Sequence, residues 1–218
     1  MDRAVLFDLD GTLHDRAETI RRYLKGHTGR LGLPEGYANK FIVLDDFGYR
    51  NKREVFSQLV AEFGLSHDPQ VLLQDYSDRG WEDMALTPHA REVLRDLRLR
   101  GLKLGIITNG WSEQQLQAVS GLGLTHLFDD VIVSEAVGLR KPDPAIFRLA
   151  LSRLNVVADE ALYVGDSPEN DVAGPQSAGM RAALFPGGHS LPTHIRPDWV
   201  LQDLRGVLEL VRGIKPST

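Results

Sequence analysis

Short unbroken apolar runs punctuate the chain, separated by longer stretches in which apolar positions recur at helical spacing. The runs are AVLF at 4–7, LGIIT at 104–108, VIVS at 131–134, LYVG at 162–165 and AALF at 182–185, with a weaker DWVL at 198–201. A strand that is apolar on both faces belongs in a parallel sheet covered by helices on both sides. Helical patterns alternate with these runs from Pro88 onward. HAREVLRDLRLRG puts Val93, Leu94 and Leu97 on one face and stops at Gly101. SEQQLQAVSGLG opens with Ser112 as N-cap, DPAIFRLALSRLN with Asp143 as N-cap and Pro144 in the first turn, and QDLRGVLELVRG predicts a closing helix. The alternation predicts an α/β fold, a doubly wound, mostly parallel, Rossmann-like sheet.

The interval between the first two strands is too long for one crossover and carries no strand pattern. Helical patterns fill it: 19–31, then KREVFSQLVAEFG with Val55, Phe56, Leu59, Val60 and Phe63 on one face, then DPQVLLQDYSDRGW, opened by Asp-Pro. IVLDDFG at 42–48 is read as helix. The expected organisation is an α/β core of residues 1–15 and 87–218 with a helical cap domain, 16–86, inserted after the first strand. The final KPST is expected to fray.

At 218 residues, 42% hydrophobic and 25% charged, the chain can bury a substantial core. A net charge of −5 without a basic run gives no footprint for nucleic acid or an anionic membrane. The absence of cysteine excludes disulfides, thiolate catalysis and cysteine-ligated zinc. No stretch approaches the ~18 apolar residues of a membrane span, and MDRAVLFDLDG has acids where a signal peptide would be apolar. The expectation is a cytoplasmic protein. Nothing in the pattern specifies an oligomeric state.

The chemistry gathers where strands end. In open α/β sheets, ligands bind beyond the carboxyl ends of the strands. The first strand runs into Asp8, Asp10, Gly11 and Thr12; the second into Thr108, Asn109 and Gly110; Lys141 follows the third in GLRKPDP; the fourth runs into Asp166, with Asp171 five residues on. Carboxylates cannot crowd together without a cation, and an oxygen-only donor set suits Mg²⁺ accompanied by a substrate phosphate. Thr108, backbone N–H groups near Asn109, and Lys141 are phosphate-oxygen partners, so the layout fits phosphoryl transfer.

In order and placement these residues resemble the haloacid dehalogenase-like hydrolase superfamily. FDLDGT is similar to its first motif, the strand-end threonine of TNG to the second, Lys141 to the third and GDSPEND to the fourth. The helical insertion resembles the subfamily with a cap between the first two motifs. The resemblance implies Asp8 as nucleophile, forming an aspartyl-phosphate, and Asp10 as general acid/base and backbone-carbonyl metal ligand. It implies Thr108, with Asn109 and Gly110, at the phosphoryl group, and Lys141 on both Asp8 and phosphate. Mg²⁺ would be held by Asp8, Asp10 and Asp166, with Asp171 behind them.

The implied activity is Mg²⁺-dependent hydrolysis of a small-molecule phosphate ester. A phosphomutase would use the same motifs, and a non-catalytic binding module could share the fold. A dehalogenase would not need Asp10 or GDSPEND. Around the motifs, His14 and Asp15 are expected at the surface, the alternative being a role at the substrate. Trp111 is expected either to wall the site or to anchor the following helix. Arg50, Asn51, Lys52 and Arg53 are expected as a solvated helix start, the alternative being a cation reaching the site from the cap. PGGHS at 186–190 is expected as a loop.

Overall fold

Ala4–Phe7 forms β1, every residue of it buried. The computed structural model describes residues 2–185 and 187–211; the KPST tail and Pro186 lie outside them. By its internal contacts the chain forms two units, Met1–Asp15 with Leu86–Thr218 and Arg16–Ala85.

The first unit holds a six-stranded parallel sheet: β1, β2 (Lys103–Thr108), β3 (Asp130–Val133), β4 (Ala161–Gly165), β5 (Arg181–Leu184) and β6 (Trp199–Val200). Their spatial order is β3-β2-β1-β4-β5-β6. The strand order therefore reverses between β1 and β4, the position where such sheets bind ligands. Registers Phe7↔Ile106 and Phe7↔Val164 bring the carboxyl ends of β1, β2 and β4 level. Every apolar run of the sequence is a strand. VIVS ends one residue early as a strand, because Ser134 opens a short helix.

The helices of this unit are α5 (Ala90–Leu99), α6 (Ser112–Gly121), α7 (Ser134–Val137), α8 (Pro144–Leu154), α9 (Gly174–Ser177) and α10 (Val207–Leu210). Ile146, Phe147, Ala150 and Leu154 of α8 pack with Leu6, Ile107, Ile132 and Tyr163 of the sheet. Asp143 caps α8 as expected, accepting from the Ala145 N–H at 2.8 Å. Ser112 does not cap α6: Trp111 holds the N-cap position, 70% exposed, and the Ser112 N–H is taken by the Glu135 carboxylate at 2.7 Å. The closing helix is shorter than its pattern. A 3₁₀ turn at Leu204–Gly206 precedes α10, consistent with a glycine inside the run.

The second unit is helical: α1 (Arg16–Arg30), α2 (Tyr37–Asp45), α3 (Lys52–Phe63) and α4 (Pro69–Arg79). Its core is aromatic: Tyr23, Tyr37, Phe41, Phe56 and Tyr76 are all buried together with Ile20, Leu24, Leu59 and Leu72. Val55, Phe56 and Leu59 lead the apolar face of α3, while Val60 and Phe63 are only partly covered. IVLDDFG is helical only to Asp45; the next two residues turn left-handed, at φ 47° and 53°. Leu86 lies with the first unit, bridged antiparallel to His14, rather than with the helices.

Candidate active site

Beyond β1 the chain folds back at once. The Leu9 carbonyl accepts the N–H groups of Thr12, Leu13 and His14 at 3.3, 3.0 and 2.8 Å, and Gly11 donates to the His14 carbonyl at 2.9 Å. This tight turn needs Gly11 at φ +87°, and a Cβ there would stand 2.4 Å from Asp166 Oδ2. Gly187 touches the same carboxylate from elsewhere: its Cβ would stand 2.1 Å from Asp166 Oδ2. Asp166 is thus seated between two stretches of bare backbone.

Lys141 lies at the centre, 3% exposed, with each ammonium hydrogen assigned. Nζ donates to Asp8 Oδ1 at 2.7 Å, to Asp171 Oδ1 at 2.6 Å and to the Tyr163 hydroxyl at 3.1 Å. Tyr163 donates its own hydroxyl hydrogen to the Ile107 carbonyl at 3.0 Å. The Asn109 side chain clasps the Lys141 backbone, donating to its carbonyl at 3.0 Å and accepting from its N–H at 2.9 Å. A π-helical turn, Pro168–Ala173, carries Asp171, whose second oxygen accepts the Ser167 N–H at 2.9 Å. Asp171 is therefore occupied on both oxygens.

Asp8, Asp166 and Asp171 each offer an oxygen within 4.8 Å of the others. Burial pushes the Asp8 carboxyl up to about 7 despite the Lys141 ammonium beside it. Burial pushes Asp166 up to about 8, with the charges of Asp8 and Asp171 adding to it. Burial also disfavours the Lys141 ammonium, yet Asp171 and Asp8 outweigh it and hold its pKa well above the usual lysine value. One lysine does not balance the acids around it. The three acids offer oxygen alone, His189 Nε2 stands 3.6 Å from Asp166 Oδ2, and Asp171 is already engaged. Asp8 and Asp166 would hold a small hard dication here.

The structure brings Asp8, Lys141, Asp166 and Asp171 together. It places the three residues at the end of β2 differently from a bare phosphate cradle. Thr108 donates its hydroxyl hydrogen to Gln115 Oε1 at 2.7 Å, Asn109 holds Lys141, and the Gly110 N–H donates to Ser134 Oγ at 3.0 Å. Asp10 carries two partners the motifs do not announce: His14 Nδ1 lies 2.6 Å from Oδ1, and Gln115 Nε2 donates to Oδ2 at 3.0 Å. His14, expected at the surface, is fully buried, because the turn at Leu9 draws it inward and the bridge to Leu86 covers it. No local signal in the sequence points to it, because the pair is made by a tight turn and not by helical spacing.

Other expectations resolve locally. Lys52 is not solvated: it pairs with Asp45 at 2.7 Å and donates to the Arg50 carbonyl at 2.8 Å. Asn51 caps α3 through the Arg53 N–H, and Arg50 donates to Gln58. Residues 187–190 are without regular structure.

Residues 5–185 match the haloacid dehalogenase-like hydrolase family. The chain belongs to that family. A glyceraldehyde 3-phosphate phosphatase of Methanopyrus kandleri is 31% identical, the match covering 98% of this chain and 99% of that one. A phosphoserine phosphatase of Thermus thermophilus is 36% identical over 72% of this chain and 63% of its own length. The hydrolase YfnB of Bacillus subtilis, solved with magnesium bound, superposes with a TM-score of 0.82 at 26% identity, covering 96% of this chain and 98% of that one. For a haloacid dehalogenase-like hydrolase the four strand-end segments are thus the expected seat of chemistry, at the point where this sheet reverses its strand order. Among the described residues no helix is long and apolar enough to cross a membrane.

Proposed function

We propose that this protein is a Mg²⁺-dependent phosphatase acting on a small phosphorylated metabolite. The observation that carries the proposal is the buried group Asp8–Lys141–Asp166–Asp171, an excess of carboxylate that calls for a dication and a nucleophile that faces it. The names of the relatives point to the same class of ester, and a three-carbon aldehyde phosphate heads the candidates.

Asp8 and Asp166 would hold Mg²⁺ through carboxylate oxygens and Asp10 through its backbone carbonyl. When bound, Mg²⁺ neutralises phosphate charge and keeps Asp8 ionised. Asp8 attacks phosphorus in line, and the P–O bond to the leaving group breaks as the aspartyl-phosphate forms. Asp10 gives its proton to the departing oxygen, then takes one from the water that attacks the same phosphorus. Asp8 leaves as a carboxylate with inorganic phosphate. Lys141 fixes the rotamer of Asp8 and lowers the repulsion between it and the incoming phosphate. Thr108 lines the phosphoryl site while its hydroxyl stays on Gln115, with Asn109 and Gly110 holding the strand end around it. The helical unit serves as the cap.

The deciding experiment is a screen of phosphorylated metabolites with Mg²⁺, with Asp8→Asn as blank. Release of inorganic phosphate by the wild type alone supports hydrolysis. Isomerisation without phosphate release would make it a phosphomutase, and no turnover of any ester would leave a binding module.

A further inference from the structure

We infer that His14 and Gln115 form a clamp that sets the plane of the Asp10 carboxyl group for proton transfer to the leaving oxygen. The inference rests on the reading of Asp10 as general acid. Its basis is the pair of bonds described above, one to each Asp10 oxygen: His14 Nδ1 at 2.6 Å from Oδ1 and Gln115 Nε2 at 3.0 Å from Oδ2. A quarter-turn about the Cβ–Cγ bond of Asp10 breaks both. Asp10 itself is only partly buried, whereas both partners are buried. The fixed part of the assembly is therefore the clamp, and the exposed part is the acid.

Each arm has its own anchor. His14 stands on the turn whose carbonyl at Leu9 collects three N–H groups. Gln115 has its amide oxygen fixed by the Thr108 hydroxyl at 2.7 Å, which directs its NH₂ to Asp10. Room for that amide comes from Gly110: at φ +151° a Cβ there would stand 2.9 Å from Gln115 Nε2. The glycine of TNG is thus explained by Gln115 as well as by phosphate. One Asp10 oxygen carries the proton that moves to the ester oxygen, while the P–O electron pair goes to that ester oxygen. His14 and Gln115 are positioning residues: neither gives up a proton in this step.

The test is the leaving-group dependence of kcat/KM, measured on aryl and alkyl phosphates from p-nitrophenyl phosphate to a primary alcohol ester. An aryl leaving group departs without protonation; an alkoxide does not. Asp10→Asn is expected to lose roughly 10²–10⁴-fold on alkyl esters and far less on p-nitrophenyl phosphate. His14→Leu and Gln115→Met, which keep volume and remove the donor, are expected to lose about 10–100-fold on alkyl esters in the same pattern. His14→Asn, whose amide can stand where Nδ1–H stands, is expected to recover most of that loss. Equal losses across leaving groups in both donor-free variants, or no recovery in His14→Asn while it folds like the wild type, would overturn the clamp. If His14→Leu fails to fold, Gln115→Met alone decides. If Asp10→Asn itself shows no leaving-group dependence, the assignment of Asp10 falls first and the clamp with it.

Discussion

Each unit buries a group of charged side chains, and the two groups are built to opposite rules. In the helical unit, Asp45 ends α2 between Arg16, the first residue of α1, at 2.6 Å, and Lys52, the first residue of α3, at 2.7 Å. Burial alone would raise its pKa, but the two cations outweigh burial and hold the carboxyl below its ordinary range. Asp75 is held down in the same way, against burial, by Arg30, His27 and Tyr23. In the α/β unit the sign is reversed. Asp8 and Asp166 are pushed up to about 7 and 8, because their burial is not matched by cation. A charge cluster that is balanced fastens helices; one left unbalanced around a single lysine is prepared for a ligand.

The largest way to break this comparison is one substitution in each cluster. Asp45→Ala leaves Arg16 and Lys52 facing each other, and is expected to cost about 3–5 kcal/mol of stability in denaturant unfolding. Asp166→Asn removes a repelled charge. It is expected to keep or raise stability without Mg²⁺ while abolishing both turnover and stabilisation by Mg²⁺. Loss of folding in Asp166→Asn and indifference in Asp45→Ala would invert the account.

A pH series sharpens it. Asp45 has a depressed native pKa, so its contribution is present above the unfolded value of about 4 and is lost as pH falls below it. Asp8 and Asp166 have raised native pKa values, so between about pH 4 and their native values of about 7 and 8 the native state binds more protons than the unfolded chain. Without metal, their effect is to lower stability as pH rises through that window. Mg²⁺ competes with those protons, so its stabilisation should grow from pH 6 to pH 8. Thermal melts with and without Mg²⁺ read both slopes, and a Mg²⁺ shift that shrinks with rising pH would contradict the assignment.

The smallest effect is a control common to both units. Asp68 caps α4 and Asp143 caps α8, each accepting the N–H two residues on at 2.8 Å. Replacing either by Ala should cost about 1 kcal/mol. Turnover should be unchanged in Asp143→Ala once stability is allowed for.

The sequence made the frame legible because two strong signals coincide. Unbroken apolar runs mark parallel strands, and acids, a lysine and glycine-rich turns follow those runs where α/β sheets bind ligands. The family match at 5–185 agrees with that reading. What stayed hidden was set by tertiary contacts. Nothing local says that the Leu9 carbonyl gathers three N–H groups and buries His14, or that the Gly110 conformation opens space for Gln115. Lys52 looked like a solvated helix start because its partner Asp45 sits on another helix. The left-handed residues after Asp45 cut short a helical pattern that DDFG alone does not forbid.

The central claim is that the unbalanced acids of the α/β unit attack phosphorus, with Asp8 as the group that becomes phosphorylated. Acid quenching during turnover of the best ester from the metabolite screen, followed by peptide mapping by mass spectrometry, tests it directly. The account predicts a phosphate on the peptide containing Asp8, formed only with Mg²⁺ and absent in Asp8→Asn. Turnover persisting in Asp8→Asn, with no phosphopeptide in the wild type, would contradict it.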